Sequence, residues 1–277
     1  MKEPKPKFTP KIPKESVNYK TEPHLKNALT SIIMVLVFLF FIIGTLDLFI
    51  RYLLGPIDLK TESKFSEFMP LPSSLKKKLI SDHPLKQRLK DLTHDLWQPY
   101  DQKRGVTFSV NIMSSKDLNA FIHFGGKILI TTQLLKEIKT LNGLSFVLCH
   151  ELGHFLYRHM ITVLGRKLGI SLLLHLAGIK NIDDFLKISQ SRYSREHETD
   201  ADSFAVQCLQ KRFGHLGGFD EFFNLVLEKE SFIDKIDFMK THPVTEMRIH
   251  QIELMAIKQG LSLTGETTPL KIESSPQ

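Results

Sequence analysis

Five residues, His150-Glu151-Leu152-Gly153-His154, constrain this chain more than any other feature. Leu144, Phe146, Val147 and Leu148 precede them and Phe155 and Leu156 follow, so the pentad sits in an apolar run that reads as a helix, Leu144 to His159. Positions four apart share one face of a helix, so both imidazoles can reach a single ion. Glu151 lies between them and can approach a water at that ion. The alternative is two helix histidines that happen to flank a glutamate. Burying those three groups in so apolar a helix without a partner is costly, which favours the metal.

A zinc ion in a hydrolase usually takes three protein ligands and keeps one position open. The metzincin arrangement would need Gly at position 157 and His at position 160, where Tyr157 and Met160 stand. His159 follows the second histidine by five residues, which turns it off the metal face and leaves it as a surface group or a support for a ligand. The run Glu196-His197-Glu198-Thr199-Asp200-Ala201-Asp202 offers five donors, and periodicity sorts them. A helix from Arg192 to Lys211 would have Ala201, Ala205, Cys208 and Leu209 on its apolar face. Glu198 and Asp202 fall on that face; Glu196 and Asp200 point away. A carboxylate turned inward needs a counter-charge, which zinc supplies. Glu198 is therefore the expected third ligand, and Asp202 the acceptor of a ligand histidine's free N–H. An acidic solvated face, or His197 as the ligand, are the competing readings.

Two later residues belong to the same question. His242 reads three ways: a donor to the developing oxyanion, a ligand able to block zinc's open position, or a turn residue before Pro243. Arg248 opens the last helix and either pairs with an acid near the site or lies on the surface.

The uncharged run Ala28–Leu46 is nineteen residues long, which as a helix reaches about 28 Å, the hydrocarbon thickness of a bilayer. Leu46, Asp47, Leu48 and Phe49 offer no small-x-small cleavage site, so an uncleaved anchor is expected rather than a signal peptide. Residues 1–27 carry seven lysines against Glu3, Glu15 and Glu22, and read as a disordered basic tail. That tail explains most of the formal charge of +7, so the charge is no nucleic-acid footprint. By the positive-inside rule it also favours a cytoplasmic N-terminus. Residues 55–74 hold three prolines and read as a linker. The stretch over residues 160–179 is interrupted by Arg166 and Lys167, leaving about eleven apolar residues from Leu168. A single crossing there would put His150 and Glu198 on opposite sides of the membrane, so a buried or surface-touching helix is expected.

The remainder reads as helix over Leu75–Lys103, strand over 106–112, and two short strands over Phe121–Thr131 broken by Gly125-Gly126. Further helices are expected over Thr132–Ile138, Phe219–Glu230 and Val244–Gln259. The boundaries are then a tail 1–27, an anchor 28–54, a linker 55–74, a catalytic domain 75–261 and a disordered end 262–277. Cys149 and Cys208 are too few for a disulfide scaffold and read as small buried hydrophobes.

Ser194-Arg195-Glu196-His197-Glu198-Thr199-Asp200-Ala201-Asp202, downstream of His154, resembles the second signature of the gluzincin family of HtpX-like, BepA-like and CAAX prenyl endopeptidases. Asn119-Ala120-Phe121 with Gly125-Gly126 is similar to that family's strand region, and Thr241-His242-Pro243 with Arg248 to its His-Pro segment. The likeness covers residues 70–258. It departs in offering one clear span, in His123 and Phe124 at the turn, and in Asp200. The resemblance implies zinc, endoproteolysis, and an α+β, mainly helical fold with a small sheet beside the zinc helix. It implies Glu151 as general base and Glu198 as third ligand. The function expected is a membrane-anchored zinc endopeptidase of the bacterial inner membrane, its domain outside the cytoplasm. It would hold lipid through residues 28–46 and act on misfolded or misassembled envelope polypeptides. The rival is a membrane-tethered chaperone with a structural zinc.

Overall fold

The computed structural model describes residues 24–54, 58–65, 70–101, 105–176, 193–228, 242 and 246–270. The chain forms two compact units, residues 1–46 and 47–277. Helix α1 (His24–Leu54) holds the apolar run. Its window Leu25–Ile42 is the one described segment long and apolar enough to cross a membrane, and none of that window is buried. The expected tail 1–27 lies outside the described residues up to position 23.

In the second unit the expected helix over Leu75–Lys103 is broken into pieces. After α2 (Leu59–Phe65), α3 (Ser73–Lys76) gives way to strand β1 (Leu79–Ile80), and α4 (Lys86–Trp97) follows. Pro84 cannot continue a helix ladder, and Pro99 stands in the 3₁₀ turn Gln98–Tyr100 that ends this segment. Strands β2 (Ser109–Met113), β3 (Ala120–His123) and β4 (Lys127–Thr131) complete a mixed sheet of order β1-β2-β4-β3. β2 and β4 run parallel, Ser109 opposite Lys127; the other pairs are antiparallel. The β3–β4 turn has φ of 74° at Gly125 and 80° at Gly126, left-handed values that glycine adopts without a Cβ clash. β2 starts three residues later than expected because its partner strand begins only at Lys127.

After α5 (Thr132–Glu137) comes the apolar helix α6 (Leu141–Leu156), whose residues Asn142 to Phe155 are all buried. It begins earlier than expected because Thr140 caps it, its hydroxyl accepting from Gly143 N–H at 2.9 Å. Glu221 in turn accepts from Lys139 N–H and the Thr140 hydroxyl. The helix ends at Leu156, and Arg158 takes a left-handed φ of 61° before α7 (His159–Leu176) begins. Helix α8 (Arg195–Phe213) starts at a Ser194 cap, later than expected, and stops at Gly214 with φ 77°. Helices α9 (Glu221–Glu228) and α10 (Glu246–Gln259) follow.

Residues 262–270 depart from the expected disordered end. Leu216 N–H donates to Ser262 O, Leu141 N–H to Thr268 O and Leu270 N–H to Lys139 O. Thr268 N–H is held by Asn142 Oδ1. A polar segment can thus be ordered by backbone bonds that hydropathy does not register.

The pair α6–α8 is the centre of the domain. A Cβ on Gly153 would lie 3.0 Å from Ala201 Cα, so the two helices approach nearly backbone to backbone where the pentad faces Glu198 and Asp202. A disulfide joins Cys149 on α6 to Cys208 on α8 across a Cα–Cα distance of 6.2 Å. Both cysteines are buried, as small hydrophobes would be, but they are bonded; the meeting is made by helix packing, which sequence spacing does not reveal. Closing a loop of 59 residues stabilises by about 4 kcal/mol in the chain-entropy model. A Cys149→Ala/Cys208→Ala double variant is expected to lose about that much stability in urea unfolding. A non-reducing peptide map should show the two segments linked; two alkylatable thiols in the oxidised protein would refute the bond.

Candidate metal centre

Helix α6 delivers His150, Glu151 and His154 to one side; α8 brings Glu198 and Asp202 against them. Donor atoms of His150, His154, Glu198 and His242 all lie within 4.8 Å of one another, and all four residues are buried. His150 Nε2 stands 3.0 Å from His154 Nε2 and 3.4 Å from His242 Nδ1. Glu198 Oε1 stands 3.1 Å from His242 Nδ1 and 3.5 Å from His154 Nε2. Four ligands in a tetrahedron around zinc, at bond lengths of about 2.0–2.1 Å, would be separated by about 3.3–3.4 Å. The observed edges bracket that value.

Charge gives a second test of fit. Glu151, Glu198 and Asp202 are buried carboxylates with one guanidinium among them. Arg248 places NH1 2.7 Å from Glu198 Oε2 and NH2 2.7 Å from Asp202 Oδ1, and its Nε donates to Asp202 Oδ2 at 2.9 Å. With all three acids ionised and the imidazoles neutral, the cluster is two charges short of balance. A divalent cation among these donors removes that deficit. Nitrogen and carboxylate donors suit zinc.

The supporting contacts orient the candidate ligands. His150 Nδ1 is 2.9 Å from Asp202 Oδ1, so its proton belongs there and Nε2 is left bare toward the centre. Burial alone would raise the Asp202 carboxyl, but Arg248 and His150 hold it below its usual range. Burial likewise opposes ionisation of Glu198, and His242, His150 and Arg248 outweigh it, leaving it lowered. His154 is driven well below the usual imidazole range, chiefly by burial and then by the neighbouring His150 and His242. Glu151 is raised by burial. Its Oε2 accepts from Ile122 N–H on β3 at 2.9 Å, while Oε1 is buried with no hydrogen-bond partner among the described residues. Tyr193 stacks on the His154 ring at 4.0 Å.

The structure therefore brings together every residue singled out by the sequence: His150, Glu151, His154, Glu198, Asp202, His242 and Arg248. His242 is 1% exposed and its Nδ1 joins the donor cluster, which is not the setting of an ordinary turn residue. His197 is buried but stacks on His159 at 4.1 Å, so it does not face the cluster. His159, expected off the metal face and either on the surface or supporting a ligand, takes the second of those places. Its Nδ1 lies 2.9 Å from His154 Nδ1, because the break at Tyr157–Arg158 swings it back.

A helix bearing His-Glu-x-x-His, packed on a second helix that supplies a glutamate, defines the gluzincin class of metallopeptidases. The chain belongs to peptidase family M48, whose model matches residues 81–256. Over 189 residues it is 25% identical to a Vibrio cholerae protein provisionally named beta-barrel assembly-enhancing protease, covering 62% of this chain and 39% of the relative. It is 24% identical over 194 residues to the beta-barrel assembly-enhancing protease of Yersinia pestis, again 62% and 39%. It is 25% identical over 169 residues to the mitochondrial metalloendopeptidase OMA1 of Saccharomyces cerevisiae, covering 53% and 47%. The chain thus spans less than half the length of these relatives.

Zinc titration checks the centre directly. His150→Ala, His154→Ala and Glu198→Ala should each abolish stoichiometric zinc binding. Asp202→Asn should weaken it about 10- to 100-fold without unfolding the chain. Full zinc in Glu198→Ala together with loss in Glu196→Ala would reverse the assignment of the helix face.

Proposed function

We propose that this chain is a membrane-anchored zinc-dependent endopeptidase, with His150, His154 and Glu198 as metal ligands and Glu151 as general base. The observation that carries the reading is Glu151. It is fully buried beside the donor cluster, is not one of the donors, and is held by a backbone amide of β3 with its second oxygen unengaged by any described hydrogen bond. A structural metal has no use for such a carboxylate.

Zinc bound there would supply Lewis acidity, polarising the scissile carbonyl. Glu151 takes the proton from the attacking water and carries it to the leaving amine. Its burial, which raises its proton affinity, suits a group that must accept and return a proton. Asp202 and Arg248 keep His150 and Glu198 oriented. His242 completes the donor set at a fourth corner, which hydrolysis requires to be open. It must withdraw for turnover, and from a withdrawn position it can donate to the oxyanion.

Several features support placement of the domain outside the cytoplasm of a bacterial inner membrane. The tail before α1 is lysine-rich, the window Leu25–Ile42 suits a span, and the Cys149–Cys208 bond suits an oxidising compartment. The domain proper would run over residues 75–261, extended by the bonded segment to residue 270. The names of the bacterial relatives favour envelope polypeptides as substrates, presented in extended form along β3, the outer strand of the described sheet. The closed donor set favours one rival, a tethered chaperone whose zinc is structural.

Glu151→Gln separates the two. Zinc content and melting temperature should stay near wild type while casein cleavage falls by at least about 10²–10⁴-fold, the range for a lost general base. A chelator should abolish wild-type cleavage. Unchanged turnover by Glu151→Gln would sink the mechanism, and a wild-type protein with no proteolysis and no effect of the substitution would favour the chaperone.

A further inference from the structure

The two histidines of the pentad are supported unequally. His150 Nδ1 meets a carboxylate directly, Asp202 at 2.9 Å. His154 Nδ1 meets a second imidazole, His159 Nδ1, also at 2.9 Å. His159 is 3% exposed, stacks on His197 at 4.1 Å with 16° between the planes, and places Nε2 3.5 Å from Asp200 Oδ2.

Two nitrogens at 2.9 Å share one proton, so one donates and the other accepts. If His154 is to present a bare Nε2 to a metal, its proton must sit on Nδ1, and His159 Nδ1 must accept. The His159 proton must then sit on Nε2, the nitrogen that faces Asp200. The opposite assignment puts a proton on His154 Nε2, in the middle of the donor cluster, where it excludes a cation. The carboxylate thus acts on His154 through one intervening ring. On a continuous helix, five residues would rotate His159 about 140° from His154. The left-handed Arg158 makes the return possible.

We propose that His159, oriented by Asp200 and by stacking on His197, is a positioning residue that fixes the metal-binding tautomer of His154 and thereby sets the affinity of the centre for zinc. This rests on the zinc reading above. It also gives Asp200 a role, although it points away from the donors.

The test uses the full chain in detergent, titrated with Zn²⁺ against a competing chelator. His159→Phe keeps the ring and its stacking but removes the acceptor nitrogen; zinc affinity should fall about 10- to 100-fold. His159→Gln, whose amide oxygen can accept, should restore most of it. Asp200→Ala should weaken zinc less, because its side chain is 45% exposed and water can replace it. Nitrogen-15 NMR of the zinc-loaded wild type provides a readout independent of any variant's folding. It should show a proton on His154 Nδ1, coupled through the hydrogen bond to His159 Nδ1, and the His159 proton on Nε2. Zinc binding by wild type with unchanged affinity in His159→Phe, or a His159 proton found on Nδ1, overturns this proposal alone. A wild-type chain that binds no zinc overturns it together with the reading it rests on.

Discussion

Three carboxylates buried around one guanidinium are the constraint on which the rest of this domain depends. Glu151, Glu198 and Asp202 have almost no contact with water, and Arg248 balances only one of their charges. Taking a carboxylate out of water costs several kcal/mol even after the protein relaxes, so with all three ionised and the imidazoles neutral the core calls for a counter-ion. The same point in space is faced by imidazole nitrogens whose outer sides are already engaged. A divalent cation would resolve both problems at once.

The scaffold is arranged to hold those groups against their mutual repulsion. Gly153 lets α6 and α8 come together at Ala201, and the Cys149–Cys208 bond ties the same two helices one residue before the first histidine. The N-terminus of α6 is fixed by Thr140 and Glu221 and by the strand-like segment near Pro269, so the helix cannot slide along its axis. β3 lends a single amide to Glu151, which sets that carboxylate apart from the donors although it neighbours one of them in sequence. The proposed ligands and the proposed base are thus sorted by what stands behind each side chain rather than by residue type.

Much of this was legible in the sequence where the geometry is local. His150, Glu151 and His154 share a helix turn, and Glu198 and Asp202 could be placed on the inner face of α8 because Ala201, Ala205 and Leu209 mark that face. Gly125-Gly126 announced the β3–β4 turn. What escaped depends on contacts between distant segments. The disulfide needs α6 and α8 already packed. The order of residues 262–270 comes from backbone bonds to 139–142 and 216, which leave no trace in polarity. β1 is two residues long and exists only as a partner of β2. Helical periodicity left His159 either on the surface or beside a ligand, and the left-handed Arg158 is what brings it to His154.

The central claim is that one zinc ion sits among three imidazoles and a carboxylate in the resting protein. Zinc-edge X-ray absorption on the purified chain, with metal content measured on the same sample, tests it most directly. The account predicts one zinc per chain, four nitrogen or oxygen neighbours at about 2.0–2.1 Å and the outer scattering of three imidazole rings. Substoichiometric zinc, sulfur in the coordination shell, or an ion surrounded mainly by water would contradict it.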